Sequence, residues 1–225
     1  MLARLDAVLI KHAERGATWW SVTTTALAPV FVTGGYLAAD LLQPDDYSPV
    51  RQSISVLAGH AGSHRWVMTA CTLAVGLCLL IAPFGIARLG LPARILLGIE
   101  GAAGVGVALW PEPTRGSTFW HIFCTVVGAI LLAGWPLAAG WPRRTSPLPL
   151  TLRCSAAAAA VFSCLTLWCL AETQLGPMLG LAERVTATAE LSWPFVVTLS
   201  LWLPRPIAES TQPIAMAAER ADGLD

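Results

Sequence analysis

Two glutamates raise the chemical question. Glu100 stands in the apolar run ILLGIEGAAGVGVAL (95–109), and Glu190 stands in RVTATAELSWPFVVTL (184–199). A carboxyl among such neighbours must face a bundle interior, hold a proton or find a partner. A protonated carboxylic acid in a dry pocket can deliver its proton to an alkene or an epoxide, and aromatic faces can stabilise the carbocation that results. Glu100 and Glu190 are therefore the candidate acids. Asp40, Glu172 and His121 are candidates to orient the acid or to take up the final proton. Trp110, Trp120, Trp168 and Trp193 are candidates to line the substrate, and Arg51 and Arg184 are the cations placed to hold it or to pair with the acids.

Each residue also has a plain structural reading. Tryptophans near span ends are ordinary membrane-interface anchors. His121 can bond a neighbouring helix. Glu183-Arg184 can be helix-end charges, and Asp45, Asp46, His64 and Arg115 can be solvated loop residues. The small residues around Glu100 (Gly98, Gly101, Gly104 and Gly106) signal close helix packing and form no phosphate loop, since no strand precedes them and no lysine follows. His60 and His64 are four apart, but Gly59 and Gly62 make that stretch a loop and no acid lies between the histidines, so no metal site is expected. Nucleophilic chemistry would draw on Ser53 or Ser55 with His121, a pairing that the spacing alone does not single out. The six cysteines all lie in apolar runs without a CxxC pair and read as small buried residues. No nucleotide or haem motif occurs, so no cofactor is expected.

The elements that must carry these residues are membrane helices. Mean hydropathy is +0.62 and only 12% of residues are charged, against about 25% in soluble domains. The zero net charge gives no reason to expect nucleic acid as a partner. The sequence predicts an all-α integral membrane bundle of six transmembrane helices, at about 18–42, 65–88, 92–111, 118–141, 150–171 and 182–203. A short N-terminal amphipathic helix over 1–17 would lie on the membrane surface and is not a secretory signal. The six-helix domain spans 18–204, and a disordered polar tail is expected over 205–225. Arg4, Lys11, Arg15, Arg88, Arg94, Arg143, Arg144, Arg153, Arg205 and Arg220 fall on one side, ten of the 14 basic residues, with Arg51, Arg65, Arg115 and Arg184 on the other. The excess predicts both termini in the cytoplasm and a location in the cytoplasmic (inner) membrane. Asp40, Glu112, His121, Glu172 and Glu183 then all fall toward the outer end. Glu100 and Glu190 each lie about eight residues into a span, roughly 12 Å deep, and arrive from opposite directions.

Three stretches carry a resemblance. They are Tyr47-Ser48-Pro49-Val50-Arg51-Gln52-Ser53-Ile54-Ser55-Val56-Leu57, then Trp110-Pro111-Glu112-Pro113 followed by His121, and Gly180-Leu181-Ala182-Glu183-Arg184-Val185. In these, over about residues 20 to 204, the chain resembles the bacterial six-span membrane family known as domain of unknown function 998. It is distantly similar in architecture to eukaryotic six-span proteins of the Frag1/DRAM/Sfk1 type. The family usually has Ser-Glu-Leu where this chain has Ser55-Val56-Leu57, and Phe-Pro-x-Asp where it has Trp110-Pro111-Glu112. Glu100, Glu172 and Glu190 stand where apolar residues are expected. The resemblance implies a fold and leaves activity open.

Two functions follow as expectations. One is a membrane enzyme that cyclises or isomerises a prenyl or terpenoid lipid-like substrate by acid catalysis, in the style of small integral-membrane terpene cyclases. The alternative is a non-enzymatic protein that transports, binds or organises lipid-like molecules, with its buried acids as a proton relay or as structural ion pairs. Either way the partners are a lipid-like small molecule and membrane lipids.

Overall fold

A computed structural model describes residues 16–140 and 146–203 of the chain. Except for its last two residues, the surface helix expected over 1–17 lies outside these, as do the tail over 205–225 and Arg143 and Arg144. The described chain is all-α. Its α-helices are α1 (Trp19–Asp40), a short α2 (Ile54–Ala58), α3 (Trp66–Ile81), α4 (Leu91–Leu109), α5 (Phe119–Ala139), α6 (Leu152–Leu175) and α7 (Leu179–Trp202).

Local chemistry sets the helix ends. Thr18, Thr118 and Thr151 each stand in extended backbone and cap α1, α5 and α6 with a side-chain oxygen that accepts an amide hydrogen three residues on. The turn after α6 closes at Gly176, whose φ of +80° suits a residue without Cβ. Among the described residues, five helices are long and apolar enough to cross a membrane: α1, α3 with its following turn (Trp66–Gly85), α4, α5 and α6. α7 has 24 residues but carries Glu183, Arg184 and Glu190, which lower its average hydropathy.

The long helices close into a ring. α1 packs on α3, α3 on α4, α4 on α5, α5 on α6, α6 on α7, and α7 back on α1. Backbone meets backbone between α3 and α4. A Cβ on Gly76 would strike the main chain of Gly104 and Val105, and one on Gly101 would strike that of Leu79 and Leu80. The glycines beside Glu100 are thus packing residues, with Gly98 excepted, since its missing Cβ faces open space. Trp135 is fully buried between α5 and α4, its indole nitrogen donating to the Ala93 carbonyl at 2.8 Å. The ring's outer faces expose large apolar side chains such as Val30, Ile130 and Leu167, as expected for a bundle solvated by lipid.

The two ends of the ring differ. At one end, backbone bonds from Gly16 to Leu201, Thr18 to Gly85 and Arg88 to Gly16 tie together the start of α1, the end of α3 and the end of α7. At the other end the connection between α1 and α3 folds back over the bundle and carries α2.

Candidate functional site

Inside the ring lies a cavity of about 240 Å³, just below the roughly 300–1,000 Å³ of drug-sized ligand pockets. Its wall is mostly apolar: Val32 of α1, Met68 and Val75 of α3, Val107 of α4, Leu132 of α5 and Leu191 of α7. Three carboxyl side chains enter it, Glu100 from α4 and Glu183 and Glu190 from α7. No Lys, Arg or His is among the described residues that line it. Across the end with the long connection, Ile54, Ser55 and Ala58 of α2 form part of the wall.

The three acids differ in their partners. Glu190 is buried, with Oε1 2.8 Å from the Thr166 hydroxyl on α6. Glu183 Oε2 accepts the Ile54 amide hydrogen at 2.6 Å and so holds the start of α2. Glu100 is only 6% exposed, and its Oε2 has no hydrogen-bond partner among the described residues. Gly128 of α5 faces its other oxygen: a Cβ there would stand in ordinary contact, 3.6 Å from Glu100 Oε1. Glu100 and Glu190 therefore share one void, although they come from helices that run in opposite directions.

A second cluster, around Arg184, closes the end that carries α2. Its guanidinium donates to Asp40 Oδ1 (2.7 Å), the Tyr47 hydroxyl (2.6 Å) and the carbonyls of Pro49 (2.7 Å), Gln52 (3.1 Å) and Gly180 (2.9 Å). Tyr47 in turn donates to Asp40 at 2.9 Å. The Tyr36 ring lies under the guanidinium, 5.4 Å from centroid to carbon. Burial, reinforced by the bond to Asp40, pushes the Tyr47 hydroxyl up to about 12. Gly180 lets the connection pass against the first turn of α7, because a Cβ there would overlap the Pro49 and Gln52 carbonyls. The Glu183-Arg184 pair thus clasps the segment 47–54 from both sides. Asp40 and Arg184 belong to this clasp and not to the cavity wall, and Arg51 is exposed.

A third cluster forms at the mouth. His121 is 3% exposed. Its Nδ1 is 2.9 Å from the Trp110 carbonyl oxygen, and its Nε2 is 3.2 Å from Ser55 Oγ and 3.5 Å from Glu112 Oε1. The loop that supplies Trp110 and Glu112 is pinned by His60, whose amide donates to the Glu112 carbonyl at 2.8 Å.

The remaining candidates lie apart from these clusters. Glu172 Oε2 accepts the Met178 amide at 2.9 Å and fastens the turn between α6 and α7. Trp110 and Trp120 stack on each other at 5.7 Å on the exposed outer rim. Trp193 packs edge-on against Phe162, and Trp168 is half-buried on α6. None of these four tryptophans lines the cavity, which has no aromatic lining among the described residues. No group of three or more His, Cys, Asp or Glu side chains among the described residues is arranged to hold a metal ion.

Glu183 is the cavity residue least visible in the sequence, where it reads as a helix-end charge. The available signal is its spacing: Glu183 and Glu190 are seven apart, two turns on one helical face.

A family model described as "Protein of unknown function (DUF998)" matches residues 15–200. No curated protein and no solved structure matches the chain.

Proposed function

The chain belongs to the DUF998 family, and from that premise we propose that it is a six-span protein of the cytoplasmic membrane that binds a lipid-like amphiphile in its central cavity. Both termini lie in the cytoplasm, as the ten-to-four partition of basic residues favours. α7 is the sixth span. Its place in the ring supports this, as does the direction of its charges: Arg184 and Glu190 are buried, so lipid does not meet them.

The observation that carries the reading is the unpartnered Oε2 of buried Glu100, in an apolar void with two further carboxyl groups and no basic side chain among the described residues of its wall. Such a wall accepts hydrogen bonds in excess of what its own groups supply. It suits a molecule with an apolar chain and a hydrogen-bond-donating or cationic head, an alkylamine being the simplest case. The test is native mass spectrometry of the full chain released from micelles. Octylamine is expected to be retained at one equivalent and octanoate to be lost, with Glu100→Gln lowering retention at least tenfold. Equal retention of amine and acid, unchanged in the variant, would remove the reading.

Acid-catalysed cyclisation is the second reading, favoured by the placing of Glu100 and Glu190 in one void. The lack of an aromatic ring among the described residues of the wall weighs against it, because a carbocation there would meet aliphatic, hydroxyl, sulfur-bearing and carboxyl side chains. Cyclised product from prenylated or epoxy-prenylated substrates, lost in both Glu100→Gln and Glu190→Gln, would establish it over simple binding.

A further inference from the structure

We propose that Ser55 and His121 form a nucleophile–base pair that hydrolyses an ester of an amphiphile seated in the cavity. The proposal rests on the cavity being an amphiphile site and adds a reaction at its outer wall.

The first support is geometric. A backbone carbonyl can only accept, so the 2.9 Å contact with Trp110 puts the ring proton of neutral His121 on Nδ1. Nε2 then presents its lone pair, and the atom 3.2 Å away is Ser55 Oγ. This is the relation a general base needs to an activated hydroxyl, with the base oriented from behind by a third group. Here that group is a carbonyl. Burial of His121 and the capping of α5 by Thr118 hold the ring in place.

The second support is the position of the hydroxyl. Ser55 is among the residues that line the cavity and His121 is not, so the Ser55–His121 contact lies where the cavity meets the cluster at its mouth. Ser53 is committed elsewhere: it caps α2, its Oγ accepting the Val56 amide at 3.3 Å. The third support is Glu112, whose carboxylate lies 3.5 Å from Nε2 and would stabilise the imidazolium formed when that nitrogen takes a proton.

The reaction balances with water as the co-reactant. Ser55 Oγ attacks the ester carbonyl carbon while its proton passes to His121 Nε2. The carbon–oxygen bond to the alcohol breaks, and Nε2 returns the proton to the leaving oxygen. Water then attacks the acyl-serine with Nε2 again as base, the acid departs, and Ser55 recovers its proton.

The experiment is covalent labelling of the full chain in nanodiscs with an octyl fluorophosphonate, with the adduct located by peptide mass spectrometry. The proposal expects the adduct on Ser55, with the labelling rate reduced about 10²–10⁴-fold in His121→Gln. It also expects 4-methylumbelliferyl octanoate to be hydrolysed by the wild type and not by Ser55→Ala. An adduct on Ser53, or no adduct on either serine, overturns the proposal. Octylamine binding measured on the same preparation separates the two ideas: if it persists without labelling, the cavity reading stands and the hydrolytic one falls.

Discussion

Arg184 offers the sharpest test of how the end that carries α2 is built. Its side chain is 7% exposed and satisfies Asp40, Tyr47 and three backbone carbonyls from two segments of the chain. Arg184→Ala removes the cation, leaves the Asp40 carboxylate half-buried and unpaired, and strips the Pro49, Gln52 and Gly180 carbonyls of a donor. Breaking a buried ion pair from one side costs about 3–5 kcal/mol, and each carbonyl left dry adds about 1–3 kcal/mol. The mouth lies at the end of the bundle, where water can reach the carbonyls, so the lower range of about 3–5 kcal/mol applies. Lysine keeps the charge but not the planar fork, and Arg184→Lys is expected to recover only part of the loss. The assay is equilibrium unfolding in mixed micelles, with Arg51→Ala, an exposed position, as the reference expected within about 0.5 kcal/mol of wild type. A double-mutant cycle with Asp40→Asn should return a coupling of about 0.5–3 kcal/mol. A loss below about 1 kcal/mol in Arg184→Ala, with no coupling to Asp40, would refute the clasp.

Other outcomes follow from the same geometry. Gly101→Leu forces a side chain into the main chain of α3 and should destabilise the bundle by at least about 1–3 kcal/mol, whereas Gly98→Leu, facing open space, should be near neutral in the same unfolding assay. Gly128→Leu should fill the cavity beside Glu100 and abolish octylamine retention while the protein still folds. The chain has two tyrosines, and the one at position 47 should ionise near pH 12 rather than at its usual value of 10.0. Because the folded state holds that proton more tightly, the stability it contributes is complete below pH 10 and fades as pH rises toward 12. Absorbance titration at tyrosinate wavelengths should show this step fall only part of the way toward 10.0 in Asp40→Asn, because burial, the larger cause, remains.

The long apolar runs make the helices legible in the sequence itself, because a backbone in lipid has few choices. Expected and observed boundaries of the long helices differ by a few residues, as at Leu175, where α6 runs on to its glycine cap. The contacts between distant segments are not legible in this way. Asp40 and Arg184 are 144 positions apart, and nothing in either neighbourhood announces the other. The tryptophans mislead as cavity candidates because a ring at a span end looks the same whether it anchors an interface or lines a pocket. Trp110 and Trp120 lie on the outer rim, while Trp135, fully buried, braces α4 through the Ala93 carbonyl. Glu100 and Glu190 are legible as buried groups from their surroundings. Only the closed ring of helices shows that their side chains enter one void.

The most direct measurement is photo-crosslinking of the full chain in nanodiscs with an alkylamine that carries a diazirine on its chain. If the cavity is the binding site, adducts fall on its wall, at residues such as Val107, Leu132 and Leu191, and disappear in Gly128→Leu. Adducts confined to lipid-facing residues such as Val30, Ile130 and Leu167, and indifferent to Gly128→Leu, would contradict it.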